Sequence, residues 1–130
     1  MGAVIVVADD ELDLRTVHSA ALHQAGYQVW EMADGAETLD AVPDRRPDLL
    51  LLDVWMPILN EFEVVEAMRH NPLSGGVKVV MRTSVDDADS RLEGFSFGVA
   101  DYWIKGLSLA ELCQKVARIL GESRDVSDAG

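Results

Sequence analysis

The chain has 130 residues, 48% of them hydrophobic, enough for one ordered domain around a single core and too few for two comfortable ones. Its 11 basic residues face 23 acidic ones, a formal charge of −12 that would repel nucleic acid phosphates, so direct DNA binding is not expected. No apolar run approaches the roughly 20 residues of a membrane span, no signal peptide is expected and the single cysteine, Cys113, excludes an internal disulfide, so the expectation is a cytoplasmic domain without a membrane segment.

The first apolar run, Val4 to Ala8, is β-branched and continuous, as suits a strand buried on both faces. Leu14, Val17, Ala21, Leu22 and Ala25 then recur at helical spacing, and Gly26 follows where a helix stop is wanted. A second strand is predicted over 27–32. The helix beginning near Ala36 is predicted to stop near Val42, because Pro43 removes a backbone donor. Leu49 to Leu52 is the most apolar run and reads as the central strand. A third helix over 62–69 has Val64, Val65 and Met68 as inward candidates, and Asn71-Pro72 with Ser74-Gly75-Gly76 marks a turn. The fourth strand is predicted over 77–81, the fourth helix over 88–97 and the fifth strand over 99–104. Leu109, Leu112, Cys113, Val116 and Leu120 give a fifth helix its apolar stripe. The domain is therefore expected over 1–120, with 121–130 a polar tail or the start of a linker.

Repeated strand–helix alternation implies right-handed crossovers and a parallel sheet covered on both faces. The expectation is an α/β doubly wound, three-layer sandwich with five strands in the order 2-1-3-4-5. In such sheets functional groups gather at the carboxyl ends of the strands, near the switch point. Those ends carry Asp9-Asp10, Asp53, Thr83-Ser84 and Lys105. Taken singly, Asp9-Asp10 and Thr83 also suit helix capping and Lys105 a solvated surface. Taken together, three carboxylates repel one another unless a cation joins them, and an all-oxygen set suits Mg²⁺ or Mn²⁺ better than zinc. Lys105 adds a compact positive charge and Thr83 a hydroxyl donor. That makes a cradle for a tetrahedral anion on a carboxylate, and a positioned Asp can attack phosphorus directly.

The segments VIVVADDE, GYQVWEMADG, PDLLLLDVWMP, KVVMRTS and GVADYWIKG resemble the receiver domains of two-component signalling from about Val4 to Leu120. The resemblance implies Asp53 as phosphoacceptor, loaded from a phosphohistidine of a histidine kinase or phosphotransfer protein. It implies metal binding by Asp10 directly, by Asp9 largely through water, by Asp53 and by the backbone carbonyl of Trp55. Lys105 would pair with the phosphoryl group, and Thr83 and Tyr102 would switch the surface of the fourth helix, fifth strand and fifth helix. That surface is the expected site of homodimer or downstream contacts, with an output domain attached beyond residue 130 as the other route. The chain would be no enzyme beyond its own phosphorylation and dephosphorylation.

Four residues depart from the family pattern. Gly106 follows Lys105 where a cis-proline is usual, so a trans bond or a strained loop is expected. Glu61 replaces a common glycine, which puts any positive φ on Glu61 or Asn60. Arg82 replaces an apolar residue, at a strand edge or partner surface, and Trp55 is bulky beside Asp53. An aspartate-nucleophile phosphatase would need a second Asp at the Trp55 position, and a flavin module a Ser/Thr/Gly-rich loop in place of Asp9-Asp10-Glu11. The remaining alternative is a phosphorylation-independent receiver that serves as an interaction scaffold. His18, His23 and His70 are expected as partly exposed side chains, Cys113 as a small hydrophobe, and Trp30 and Trp103 as packing residues.

Overall fold

Strand alternation dictates the architecture of the computed structural model, which describes residues 2–53, 61–83 and 98–121. Five parallel strands, β1 (Val4–Ala8), β2 (Gln28–Met32), β3 (Leu49–Asp53), β4 (Lys78–Thr83) and β5 (Asp101–Ile104), lie in the order β2-β1-β3-β4-β5. Between and after them run α1 (Leu12–Gln24), α2 (Gly35–Arg45), α3 (Glu61–Arg69) and a C-terminal helix (Leu109–Ile119). Side chains of one parity, among them Val6, Leu50, Leu52 and Met81, pack under Val42 of α2 and Val64, Val65 and Met68 of α3. Those of the other parity, among them Val7, Leu51, Val80 and Trp103, pack under Leu22 of α1 and Leu112 and Val116 of the C-terminal helix. The result is the three-layer, doubly wound sandwich expected, with β3 buried along its whole length. The predicted fourth helix over 88–97 and the tail beyond Gly121 lie outside the described residues.

Three local expectations are corrected. Helix α2 runs through Pro43 to Arg45. The proline removes one hydrogen bond in the final turn, where little helix remains to be broken, and buried Val42 holds that turn against the core. Arg46 then ends the helix in the left-handed region at φ 46°, its N–H donating to the Val42 carbonyl at 2.8 Å. Helix α1 is rotated relative to its apolar pattern: Val17 is exposed, while His18 and Ser19 are buried beside Leu22. Strand β4 reaches two residues beyond its predicted end and takes in Arg82 and Thr83.

The C-terminal helix starts on a reciprocal cap. Ser108 Oγ accepts from the Glu111 N–H at 3.1 Å, and Glu111 Oε1 accepts from the Ser108 N–H at 3.0 Å. Ser108→Ala is expected to cost about 1 kcal/mol in urea unfolding. Unchanged stability would mean that the helix start is held by packing alone.

Candidate functional site

The strand order reverses at β1, which lies between β2 and β3, so the site opens where the carboxyl ends of β1 and β3 meet. Asp9 follows β1, its N–H donating to the Met32 carbonyl at 3.0 Å, and Asp53 closes β3. Asp10 comes next in the turn, and carboxylate oxygens of Asp9, Asp10 and Asp53 all lie within 4.8 Å of one another. Asp9 and Asp53 are buried and Asp10 is exposed. The turn is fixed from two sides: Asp9 Oδ1 accepts from the Glu11 N–H at 2.9 Å, and Arg15 Nη1 donates to the Asp9 carbonyl at 2.7 Å while its Nε holds Glu31 at 3.1 Å. The Glu11 side chain at the start of α1 makes no cap bond, and the Asp9 bond to its N–H uses Oδ1 and leaves Oδ2 facing the pocket.

Lys105 extends the edge of β5, its N–H donating to the Thr83 carbonyl at 2.8 Å. From there its Nζ lies 2.5 Å from Asp53 Oδ1 and 4.0 Å from Asp9 Oδ2. Among the described residues no peptide bond is cis, so Lys105-Gly106 is trans and the lysine reaches the pocket without the family's proline. Burial pushes the Asp53 carboxyl up to about 7; the Lys105 hydrogen bond and charge pull it down, and the Asp9 carboxylate pushes it further up. Asp9 Oδ2 is buried with no hydrogen-bond partner among the described residues. Three hard oxygen donors, one of them buried without a donor, fit an oxygen-seeking divalent ion such as Mg²⁺.

The profile of the response regulator receiver domain matches residues 5–117. The chain is a receiver domain of the response regulator family. Receiver domains bind Mg²⁺ at an acidic pocket and interact with histidine kinases. The domain is 29% identical over 120 residues to the phosphate regulon transcriptional regulatory protein PhoB of Pseudomonas aeruginosa, covering 92% of this chain and 52% of PhoB. It thus spans about half the length of the curated relatives it matches. The chemotaxis response regulator CheY4 of Vibrio cholerae superposes with a TM-score of 0.87 at 28% identity, covering 92% of this chain and 99% of CheY4. The receiver domain of the sensor histidine kinase PA1611 from Pseudomonas aeruginosa, solved with a magnesium ion coordinated in its active site cleft, gives 0.84 at 26% identity, covering 94% of this chain and all of that one.

The structure brings Asp9, Asp10, Asp53 and Lys105 to one pocket of the receiver domain. Thr83 ends β4, and alternation puts it on the same sheet face as Met81 and the buried Tyr102, the side covered by α2 and α3. Trp55, Ser84 and Asn60 lie outside the described residues. Glu61 opens α3, and the positive φ expected at Glu61 or Asn60 is not on Glu61: among the described non-glycine residues only Arg46 has one. Among the described residues no helix is long and apolar enough to cross a membrane.

Two expectations about side chains are wrong. Arg82 is 2% exposed, not at an edge or partner surface, and His18 is 3% exposed, not partly exposed. They meet each other, Arg82 Nη1 lying 2.7 Å from His18 Nδ1. Alternation along β4 held the signal: Arg82 shares parity with Val80, whose face α1 covers. His23 and His70 are exposed as expected.

Proposed function

We propose that Asp53 accepts a phosphoryl group in a divalent-ion-dependent reaction and that the resulting charge switches the domain's surface. The observation that carries this reading is the Lys105 ammonium 2.5 Å from a buried Asp53 carboxylate that shares its pocket with Asp9 and Asp10. Asp9, Asp10, Asp53 and the Trp55 carbonyl would hold Mg²⁺ or Mn²⁺, which supplies positive charge to the transferring oxygens. An Asp53 oxygen attacks phosphorus, the bond from phosphorus to the donor's imidazole nitrogen breaks, and that nitrogen leaves with the electron pair. Lys105 stays beside the acyl phosphate as counter-charge, and the Thr83 hydroxyl donates a hydrogen bond to a phosphoryl oxygen. Tyr102, buried on the Thr83 face, carries the change toward the surface of the predicted fourth helix, β5 and the C-terminal helix.

A histidine kinase or phosphotransfer protein would donate the group. A downstream protein, a second copy, or an output domain attached beyond residue 130 would read the switch, and the domain over 1–120 would catalyse only its own phosphorylation and dephosphorylation in the cytoplasm. The likeness to PhoB, a transcriptional regulatory protein about twice as long, supports an attached output. Incubation with Mg²⁺ and a small acyl phosphate, followed by intact mass measurement, is expected to give one phosphoryl adduct that a chelator prevents. No adduct at saturating Mg²⁺ would leave the scaffold reading in its place.

A further inference from the structure

The pocket of Asp53 has a buried cation that the reaction above does not use. Arg82 is the register neighbour of Asp53 across β3 and β4, and Asp9 continues β1 on the other side of β3. Alternation places all three side chains toward the sheet face that α1 covers. Helix α1 meets Arg82 there with His18, whose Nδ1 lies 2.7 Å from Arg82 Nη1. A guanidinium donates and never accepts, so the imidazole is the acceptor and carries its own proton on Nε2. Burial, then the Arg82 charge, hold His18 down at about 4, which keeps it a neutral acceptor. Arg82 Nε and Nη2 are buried with no hydrogen-bond partner among the described residues. A guanidinium with unpaired donors is costly to bury unless negative charge lies close by, and Asp53 on the neighbouring strand, with Asp9 one strand further, is that charge.

We propose that Arg82 is a resident counter-cation of the acidic pocket, competing with the divalent ion and thereby setting how much metal the domain needs to load. The proposal rests on reading Asp9, Asp10 and Asp53 as the metal-holding carboxylates. Lys105 faces Asp53 and Asp9 directly, and Arg82 adds a second, buried cation on the sheet face those two carboxylates share. An incoming metal ion is attracted less and repelled more. The effect scales with the ion's own charge, so it is larger for a trivalent ion than for a divalent one. Phosphorylation adds negative charge to the same pocket, which Arg82 offsets from the neighbouring strand. The expected consequence is a domain that stays well ordered without metal and loads it only at elevated concentration.

Titration calorimetry of the full chain with Mg²⁺, and separately with terbium(III), tests this. Arg82→Met is expected to tighten Mg²⁺ binding about tenfold and terbium about thirtyfold, because the repulsion scales with ionic charge. Arg82→Lys should return both affinities toward the parent. Arg82→Gln, which keeps a polar partner for His18, reads the same loss of charge if the methionine variant does not fold. A change of equal size for the two ions would mean a shape effect and would overturn the proposal, as would unchanged or weaker binding. If the parent shows no Mg²⁺ binding and Arg82→Met does, the proposal stands in its strongest form. If neither binds, both the proposal and the metal-holding reading of the aspartates fail. If the parent binds Mg²⁺ and the variant matches it, only the role of Arg82 fails.

Discussion

Asp53→Asn is expected to abolish the phosphoryl adduct and, in the metal-free domain near pH 8, to raise stability by about 3 kcal/mol. Asp53 is 2% exposed, and burial, Lys105 and Asp9 together leave its carboxyl shifted from 3.8 to about 7. An unfolded chain releases that proton near its ordinary value. Between the two pKa values the folded domain therefore binds more protons than the unfolded one, and stability falls as the pH rises through that window. Above about pH 7 the folded state carries the whole cost of a buried carboxylate; below about pH 4 both states are protonated and the cost is absent. Each pKa unit corresponds to about 1.36 kcal/mol, and leaving the Lys105 ammonium opposite a neutral amide takes back part of the gain.

Urea unfolding of parent and variant at about pH 8 and about pH 4 measures the difference, which should be large at the first and near zero at the second. A gain equal at both values would show that the amide merely packs better. Saturating Mg²⁺ should stabilise the parent by mass action and leave the variant, which lacks one carboxylate, far less affected. The residue that would carry the chemistry is thus one that weakens the fold, and a polar substitution with no catalytic use would relieve it.

Much of this was legible in the chain because strands and helices announce themselves by period. Four leucines in a row fix β3 as the central strand, and a carboxylate placed directly after them is poorly explained by a turn. The parallel topology then gathers Asp9, Asp10, Asp53 and Lys105 without any contact having to be known in advance. The failures have a common physical source, since periodicity ranks residues by hydrophobicity and Arg82 with His18 violates that ranking. A polar pair that bonds across the interface between α1 and the sheet, with the aspartates of the pocket as counter-charge to the rest of the guanidinium, can occupy core positions. It also turns α1 so that Val17 is left outside. The stop expected near Val42 fails for a different reason, because the cost of a proline depends on how much helix follows it, and only two residues of α2 follow Pro43. The Lys105-Gly106 peptide takes one of its two expected forms, a trans bond, but the aim of the lysine is set by the β4–β5 register that presents it and has no signal in the chain.

In the Asp53→Asn background, acidification is expected to expose a loss of stability that the parent conceals, at most about 3 kcal/mol between about pH 7 and pH 4, and His18 is its source. His18 is buried at 3% exposure, and burial first and the Arg82 charge second lower its pKa from 6.5 to about 4, with Asp9 opposing and Lys105 adding to the effect. The unfolded chain takes up a proton on this imidazole well before the folded domain does. In that window the unfolded state binds more protons, so stability rises with pH and is lost on acidification. Asp53 in the parent works in the opposite sense over nearly the same range, and the two slopes largely cancel. Removing the carboxylate uncovers the imidazole. Adding His18→Gln keeps an acceptor for Arg82 but removes the titrating group, so the double variant should lack the slope that the single variant shows. The His18 ring proton resonances in NMR should hold their neutral-form positions down to about pH 5 in the parent, one unit above its folded value of about 4. A His18 that titrates near its ordinary value would mean that Arg82 is held by something other than this imidazole, and would remove the reason for α1 to turn a histidine inward.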